Sequence, residues 1–259
     1  MDRELIGVGR LADVYAWDDG LALKLYRDPA RNDAAHHEAE STMRVVAAGV
    51  PAARCHGTVE IDGRVGLILD RLPGPVMADI DFERGPTAMD GLADLQARIH
   101  DRTAVAFLSM KALLEPRIAS AAPPEFRDAV LRRLDELPDG SCVLHSDLHV
   151  MNVMQGTDGR WVAIDWDRAI TGPHHYGVAR SLFLGLEADL GDVEPVPGIT
   201  AARRQLTDIY LAEYAKRRPL DRGELAAWRL PVLAARLAEP IPAEREYLIA
   251  EIEKEIGQL

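Results

Sequence analysis

The sequence predicts an α+β protein with a small strand-rich N-terminal lobe, which contains one main helix, and a larger helical C-terminal lobe. Up to residue 71 the chain consists mostly of short apolar runs separated by glycine turns, a pattern typical of strands. Beyond residue 76 most apolar segments have the length and spacing of helices. Two prolines and a glycine in residues 72–75 favour a hinge, so the predicted domains are 1–71, a hinge at 72–75, and 76–259.

The N-terminal lobe is predicted to contain five strands and one helix. Asp18-Asp19-Gly20 and Asp62-Gly63 each separate two apolar runs and are typical of hairpin turns. Residues 33–48 are rich in alanine and carry apolar residues at helical spacing, and Gly49 followed by Pro51 ends this helix. The predicted strands are residues 4–9, 13–17, 21–26, 54–60 and 64–70.

The C-terminal lobe is predicted to be helical apart from two short extended segments. The apolar run Cys142-Val143-Leu144 is predicted to be a strand that leads into a polar loop. A hairpin follows, in which residues 152–155 pair with residues 161–164. The predicted helices are residues 87–102, 109–121, 125–137, 175–187, 200–217, 221–237 and 242–257.

The composition of the chain limits its classes of function. Of its 259 residues 47% are hydrophobic, which is enough to fill a sizeable core. A formal net charge of −12 repels phosphate backbones and argues against nucleic acid as a partner. No run approaches the roughly 18 apolar residues of a membrane helix, and the N-terminal MDRELIG has no apolar signal region. We therefore expect a cytoplasmic location without a membrane partner, and the two separated cysteines, Cys55 and Cys142, fit a reducing compartment.

The segment with the most chemical content is H-S-D-L-H-V-M-N at residues 145–152, which is followed by I-D-W-D at residues 164–167. Asp147 lies on the loop after a strand, while Asn152 and Asp165 lie at the two ends of the predicted hairpin. Because a hairpin brings its ends together, these two side chains can converge on one point. Amide and carboxylate oxygens suit Mg²⁺. The Asp147 carboxylate nearby can orient a hydroxyl and accept its proton.

A second motif is the glycine turn Gly7-Val8-Gly9, which lies between two predicted strands, with Lys24 following inside the apolar run 21–26. By itself such a turn is a weak signal. A dinucleotide-binding turn would open a helix, which this one does not. A lysine flanked by leucines can also be an edge residue whose amine reaches solvent, so this motif depends on its context.

Together the two motifs resemble those of the protein-kinase-like superfamily, in which H-x-D-x-x-x-x-N is followed by an aspartate on the next strand. His149 and the triplet Ile164-Asp165-Trp166 are closer to the aminoglycoside phosphotransferase family, whose members typically read H-G-D-x-H-x-x-N and then I-D-W or I-D-F. The resemblance extends over nearly the whole chain. It implies a bilobal protein-kinase-like fold.

The resemblance implies a role for each motif residue. Asp147 would be the catalytic base, and Asn152 and Asp165 would hold Mg²⁺. Lys24 would bind the phosphates of ATP or GTP under the glycine loop, held by a helix glutamate, for which Glu38 fits the position better than Glu40. The backbone from Asp70 to Leu72 would contact the base. The implied nucleotide-binding residues are thus Gly7, Gly9, Lys24, Glu38, Asp70 and Leu72.

Some residues leave alternatives open or depart from the family pattern. His145 is expected to order the loop, and the role of His149 stays open. Asp167 either assists the metal or has a surface or capping role. Met151 replaces a smaller residue that would crowd the loop less. Gly177 stands where members usually carry an aspartate that braces the catalytic loop, which predicts a looser loop or another bracing group. Ala12 stands where protein kinases carry a third glycine.

The expected function is that of a small-molecule kinase whose partners are a nucleoside triphosphate and a small acceptor. An aminoglycoside is the acceptor that the resemblance suggests, with choline, homoserine and sugar amines as alternatives. A non-catalytic nucleotide-binding module is the rival hypothesis. The choice of nucleotide and the oligomeric state are left open. An acidic stretch either faces a cationic substrate or is a solvated loop; it comprises Glu187, Asp189, Asp192 and Glu194.

Overall fold

The computed structural model describes residues 3–103, 107–188 and 199–259 of the chain. Its strands are β1 (Leu5–Val8), β2 (Ala12–Ala16), β3 (Leu21–Tyr26), β4 (Cys55–Ile61), β5 (Arg64–Asp70), β6 (Cys142–Leu144), β7 (Val153–Gln155), β8 (Trp161–Ala163) and β9 (Ile170–Gly172). Its α-helices are α1 (Asn32–Ala47), α2 (Gly85–His100), α3 (Met110–Ala121), α4 (Pro124–Glu136), α5 (His174–Leu186), α6 (Ile199–Arg217), α7 (Arg222–Ala227), α8 (Arg229–Arg236) and α9 (Arg245–Ile256).

The described residues form two compact units. The first contains residues 3–84 and 150–169, and the second contains residues 85–103, 107–149, 170–188 and 199–259. The α+β class predicted from the sequence is confirmed. The lobe boundary at residues 72–75 stays a prediction.

The first unit is built on an antiparallel sheet with the strand order β1-β2-β3-β5-β4. Helix α1 packs on β4 and β5, with its Ala35 and Ala39 in one core cluster with Tyr26 and Leu67. Small alanines let the helix approach the sheet closely, since their side chains add little height. Lys24 lies in the central strand β3, opposite Val14 on one side and Leu67 on the other. Helix α1 and the strand that carries Lys24 therefore belong to the same helix-on-sheet arrangement.

The β7–β8 hairpin belongs to the first unit although it comes much later in the chain. Its outer side pairs with two earlier segments: the Ala163 N–H donates to the Pro51 carbonyl at 3.1 Å, and the Gly74 N–H donates to the Gln155 carbonyl at 3.2 Å. A Cβ at Gly74 would lie 2.5 Å from the Gln155 Cβ, so this close backbone approach requires glycine. The hairpin thus carries residues 150–169 onto the same body as Lys24.

The second unit is mainly helical. Helix α2 packs along α6, and α8 packs against α9 and α3. The short strand β6 pairs antiparallel with β9, which leads directly into α5. Leu95, Ile99, Leu144 and Trp228 are completely buried in this unit. The H-S-D-L-H-V-M-N motif starts at the end of β6, so its first residue directly follows a paired strand.

The predicted elements appear within three residues of their expected ends, with one difference. The single helix expected over 221–237 is two helices, α7 and α8, which meet at the completely buried Trp228. Strand β9 was not predicted, because a three-residue extended segment carries too little periodicity to identify. None of the described helices combines the length and the apolarity needed to cross a membrane. Both cysteines are half-buried free thiols.

Candidate active site

Asp165 occupies a special backbone position at the end of the β7–β8 hairpin. The Ile164 N–H donates to the Asn152 carbonyl at 3.0 Å, so the predicted convergence of Asn152 with the 164–165 segment is present in the backbone. Asp165 itself has φ +67°, in the left-handed region that non-glycine residues rarely adopt. The buried Trp166 anchors the turn by donating its indole N–H to the Ala163 carbonyl at 3.1 Å. Strain of this kind persists where the surrounding structure enforces it, which is common at functional sites.

Lys24 is held by two carboxylates within the first unit. Its Nζ lies 2.8 Å from Glu38 Oε1 and 3.2 Å from Asp165 Oδ1. The second Glu38 oxygen accepts a hydrogen bond of 2.7 Å from the Tyr26 hydroxyl, and Glu38 is only 2% exposed. Glu40, the alternative partner, instead pairs at the surface with Arg44 at 3.2 Å. The structure therefore joins Lys24, Glu38 and Asp165, and Tyr26 is a further member that the sequence did not suggest.

Burial and charge shift the titration of this group. Burial alone would lower the pKa of Lys24, but Glu38 and Asp165 outweigh it and raise that pKa. Burial raises the pKa of Glu38 above its ordinary value despite the opposing pull of Lys24. Burial, together with the charge of Asp165, raises the pKa of Asp167 to about 7. Negative charge is thus crowded at the end of the hairpin, with Lys24 as its cationic partner.

The donor atoms at the end of the hairpin fit a hard divalent cation. Asn152 carries an amide oxygen, and the Asp165 carboxylate is close enough to Asp167 for its charge to raise the pKa of Asp167. A cation such as Mg²⁺ favours such oxygens, and substrate phosphates commonly complete its coordination shell. The main-chain carbonyl of Asp167 lies 3.1 Å from His37 Nε2, which fixes this segment against α1. The residues present therefore suit Mg²⁺.

The glycine turn between β1 and β2 is held from the far end of β3. The Gly9 N–H donates to the Ala12 carbonyl at 2.9 Å, and a Cβ at Gly9 would come within 3.1 Å of that oxygen. Arg27 reaches over the turn, donating to the Gly9 carbonyl at 2.7 Å and to the Arg10 carbonyl at 3.0 Å. It also pairs with Asp13 at 2.7 Å. Nothing in the sequence pattern marked Arg27, because its contacts depend on the register of β2 and β3.

The segment expected to contact the base has most of its N–H groups in use. The Asp70 N–H donates to the Arg54 carbonyl at 2.9 Å, and the Arg71 N–H donates to the Gly20 carbonyl at 2.8 Å. The Asp70 carboxylate is also engaged, with His56 Nε2 at 2.7 Å. A base bound here would therefore be recognised by the Leu72 N–H and by carbonyl oxygens.

The loop after β6 belongs to the second unit and carries Asp147. His145 is buried, and its Nδ1 accepts a hydrogen bond of 3.3 Å from the Asp147 N–H, which orders the loop. His149 Nε2 lies 4.0 Å from Asp147 Oδ2. The Asp147 side chain is partly exposed and can be reached by a ligand. Met151 is 58% exposed, so most of its bulk faces solvent rather than the loop.

A family profile identifies the chain at the level of its family. The profile described as the phosphotransferase enzyme family matches residues 2–220. The chain belongs to this family of phosphotransferase enzymes. A comparison with curated protein sequences gives no significant match.

Solved structures similar to this member of the phosphotransferase enzyme family confirm its protein-kinase-like fold. The choline kinase LicA from Streptococcus pneumoniae has a TM-score of 0.67 at 13% identity, covering 100% of this chain and 94% of its own. The aminoglycoside phosphotransferase APH(4)-Ia has a TM-score of 0.67 at 15% identity, covering 99% and 92%. The amicoumacin kinase hAmiN, in complex with AMP-PNP, Ca²⁺ and Ami, has a TM-score of 0.64 at 16% identity, covering 96% and 86%. At these identities the likeness shows the fold alone.

In this family member the space beside Gly177 is filled by a histidine. A Cβ at Gly177 would lie 2.6 Å from His100 Nε2 and 3.0 Å from Leu144 Cδ2, so an aspartate does not fit there without displacing the buried His100. The loop is braced from the next turn of α5 instead. The Ser181 hydroxyl donates to the Leu148 carbonyl at 3.0 Å, and Gln96 in turn donates to Ser181 at 3.1 Å. The hydrogen bonds of Ser181 and Gln96 therefore oppose the loosening of the loop that the glycine at position 177 predicts.

The acidic stretch of this phosphotransferase is described only in part. Asp189, Asp192 and Glu194 lie outside the described residues. Glu187 accepts hydrogen bonds of 2.6 Å from both Arg229 and the Tyr247 hydroxyl, so it is engaged within the fold.

Ser146 is expected to lower the stability of this family member. It has φ +64°, and its buried hydroxyl has no hydrogen-bond partner within the described part of the chain. The positive φ and the unpaired hydroxyl each lower stability by about 1 kcal/mol or more. Glycine removes both, but its more flexible unfolded chain lowers stability by about 0.5–1 kcal/mol. Ser146→Gly should therefore raise the free energy of unfolding by about 1 kcal/mol, measured by urea denaturation. Ser146→Ala removes only the hydroxyl and keeps the strained backbone. A gain for Ser146→Gly that falls about 0.5–1 kcal/mol below the gain for Ser146→Ala would show that the backbone is not strained.

Proposed function

We propose that this protein transfers the γ-phosphoryl group of a nucleoside triphosphate to a hydroxyl of a small-molecule acceptor. The observation that carries the proposal is the placement of Lys24, at 2.8 Å from Glu38 and 3.2 Å from Asp165. A phosphate-binding lysine beside a metal-binding carboxylate is the arrangement that phosphoryl transfer requires, because its catalysis is mainly positioning and charge neutralisation. Membership of a phosphotransferase family supports the same reaction.

The nucleotide would be bound by the first unit. Lys24 would contact the phosphates that are not transferred, and the backbone at Gly7 and Gly9 would cover them. The base would contact the Asp70–Leu72 segment. ATP and GTP remain alternatives. Structural neighbours support the nucleotide, since thermostable mutants of APH(4)-Ia have been solved with ADP and with AMP-PNP.

Asn152 and Asp165 would hold Mg²⁺, with Asp167 contributing negative charge close by. Such a cation, when bound, neutralises the charge that builds up on the transferring phosphate. Asp147 would orient the acceptor hydroxyl and take its proton. The bond from the γ-phosphorus to the β-phosphate oxygen breaks as the new bond to the acceptor oxygen forms, and a nucleoside diphosphate leaves.

For the acceptor we propose an aminoglycoside or a similar cationic amino alcohol. The formal charge of −12 favours a cation over an anion. Structural neighbours support a polar small molecule without choosing one: LicA is a choline kinase, and APH(4)-Ia forms ternary complexes with hygromycin B.

A phosphorylation screen tests the proposal. The full chain would be incubated with Mg-ATP or Mg-GTP and a panel of aminoglycosides, other antibiotics, choline, homoserine and amino sugars, and phosphorylated products would be detected by mass spectrometry. We expect transfer to at least one cationic amino alcohol. Nucleotide binding without transfer to any member of a broad panel would instead favour a non-catalytic module.

Asp165→Asn tests the proposed cation site. The amide keeps the size of the side chain but removes the charge that a divalent cation needs, so Mg²⁺ should no longer strengthen nucleotide binding, a loss of at least about tenfold in affinity. Calorimetric titration with nucleotide in Mg²⁺ and in EDTA measures this. Asp158→Asn, on the exposed turn of the same hairpin, is the matched control. A Mg²⁺ dependence equal to that of the wild type would refute the assignment.

A further inference from the structure

Arg180 is a buried cation directly behind the catalytic-loop motif of the second unit. It lies on α5 and is 5% exposed. Its Nε donates to the Ser146 carbonyl at 3.2 Å, and its Nη2 donates to Glu239 Oε1 at 2.6 Å. The same Nη2 is 3.7 Å from Asp147 Oδ1. One planar guanidinium therefore contacts the backbone next to Asp147, the Asp147 carboxylate and a third, distant residue.

Glu239 connects this arginine to the C-terminal end of the chain. Its other oxygen accepts a hydrogen bond of 2.8 Å from Arg236, and Arg236 makes two further bonds, of 2.6 and 2.9 Å, to Glu244. Charges thus alternate from Asp147 to Glu244 through Arg180, Glu239 and Arg236. Three members of this network lie beyond residue 220, where the family match ends. They are Arg236, Glu239 and Glu244.

A buried arginine is expensive unless its charge and its donors are satisfied. The rigid fork of a guanidinium fixes the relative positions of the groups that it joins, which a flexible ammonium does not do. Here the fork joins the Ser146 carbonyl to Glu239, so it limits the rotation of the peptide that precedes Asp147. Glu239 makes the shorter contact, 2.6 Å against 3.7 Å, so the arginine is anchored without closing fully on Asp147.

We propose that Arg180 is the positioning residue for Asp147, and that Glu239, from the segment beyond the family match, holds Arg180 in that place. The proposal rests on the proposed function insofar as Asp147 is the catalytic base. It gives a physical role to the end of α8 and to the segment between α8 and α9: they hold the counter-charge that lets a buried cation brace the loop where Gly177 provides no side chain.

Arg180→Met/Glu239→Gln removes both members of the pair, so no new unpaired charge is buried at this point. Arg180→Lys is the second variant; it keeps the charge but loses the fork, and it replaces the double variant if that one does not fold. Arg203→Met is the matched control, because Arg203 also donates to α5 carbonyls, those of Gly185 and Leu184, at 2.7 and 3.2 Å, but one turn beyond Arg180, at the C-terminal end of the helix.

Hydrogen exchange, followed by mass spectrometry on the full chain, is the first measurement and needs no substrate. We expect residues 145–149 to exchange at least about tenfold faster in the double variant, or in Arg180→Lys, and to be unchanged in Arg203→Met. The second measurement is turnover of Mg-ATP with the acceptor that the screen identifies. We expect kcat to fall at least about tenfold while the KM for ATP changes less than about twofold, with Arg180→Lys intermediate.

Unchanged exchange at residues 145–149, or an equal increase in Arg203→Met, would overturn the proposal, as would an unchanged kcat in a loosened loop. The two levels of inference stay separable. If the screen finds no acceptor, the proposed function fails while the exchange experiment still decides whether Arg180 holds the loop. If transfer is observed and exchange does not change, the positioning role alone fails.

Discussion

Asp147→Asn should reduce phosphoryl transfer at least about a hundredfold, which corresponds to roughly 2.7 kcal/mol of activation free energy. The asparagine is nearly isosteric and keeps the backbone N–H that donates to His145 Nδ1 at 3.3 Å, so the loop should stay ordered. It cannot accept a proton as a carboxylate does. Nucleotide affinity should change little, because the proposed nucleotide contacts come from other residues.

Steady-state kinetics with the acceptor from the screen, together with calorimetric nucleotide binding, measure both quantities. Asp139→Asn is the control: it is an aspartate of the same unit whose side chain is 81% exposed, and it should retain full activity. Wild-type turnover in Asp147→Asn would show that Asp147 is not the base.

Lys24→Met should abolish most activity and also destabilise the first unit. The loss of a phosphate clamp is worth about 10²–10³ in turnover. In addition, Glu38 is 2% exposed and would lose its cation, keeping only the hydrogen bond from Tyr26. A buried charge left without its partner costs about 3–5 kcal/mol. The exposed Lys216→Met, whose partner Glu213 can turn to solvent, should change stability by less than about 0.5 kcal/mol.

The double variant Lys24→Met/Glu38→Gln separates the two effects. It should recover much of the lost stability, since no buried carboxylate remains, but it should recover no activity. Folded, fully active Lys24→Met protein would exclude Lys24 as the phosphate lysine.

The pH dependence of stability tests independently whether the unpaired Glu38 carboxylate destabilises Lys24→Met. Burial already raises the pKa of Glu38, and removing Lys24 removes the main group that lowers it. A carboxyl whose pKa is raised on folding binds more protons in the folded state, so stability falls as pH rises above its unfolded value of about 4.3. Measured against the wild type by urea unfolding, the stability deficit of Lys24→Met should therefore be smaller at pH 5 than at pH 8, and the deficit of the double variant should not change with pH in this way. A pH-independent deficit would show that Glu38 is not the cause.

Short-range chemistry made several features predictable from the sequence. The hairpin that joins Asn152 to Asp165 depends on a local turn between two short strands, so its ends had to meet. The glycine turn before Lys24 is similarly local. Helices and strands with clear periodicity appear close to their predicted bounds, whereas the three-residue β9 and the break at Trp228 have no local signal.

What only the tertiary structure decided concerns contacts between residues that are distant in the sequence. The resemblance favours Glu38 over Glu40 but leaves both possible. Residues two apart on a helix differ by about 200°, and only the packing of α1 on the sheet decides which one faces Lys24. His100 beside Gly177, and Arg180 with Glu239 behind Asp147, likewise bring together segments that are far apart along the chain. The motif spacing determined which residues could do the chemistry. The surrounding charges and braces depend on how whole elements pack, because one side chain's partner is selected by the position of another element and not by its neighbours in the sequence.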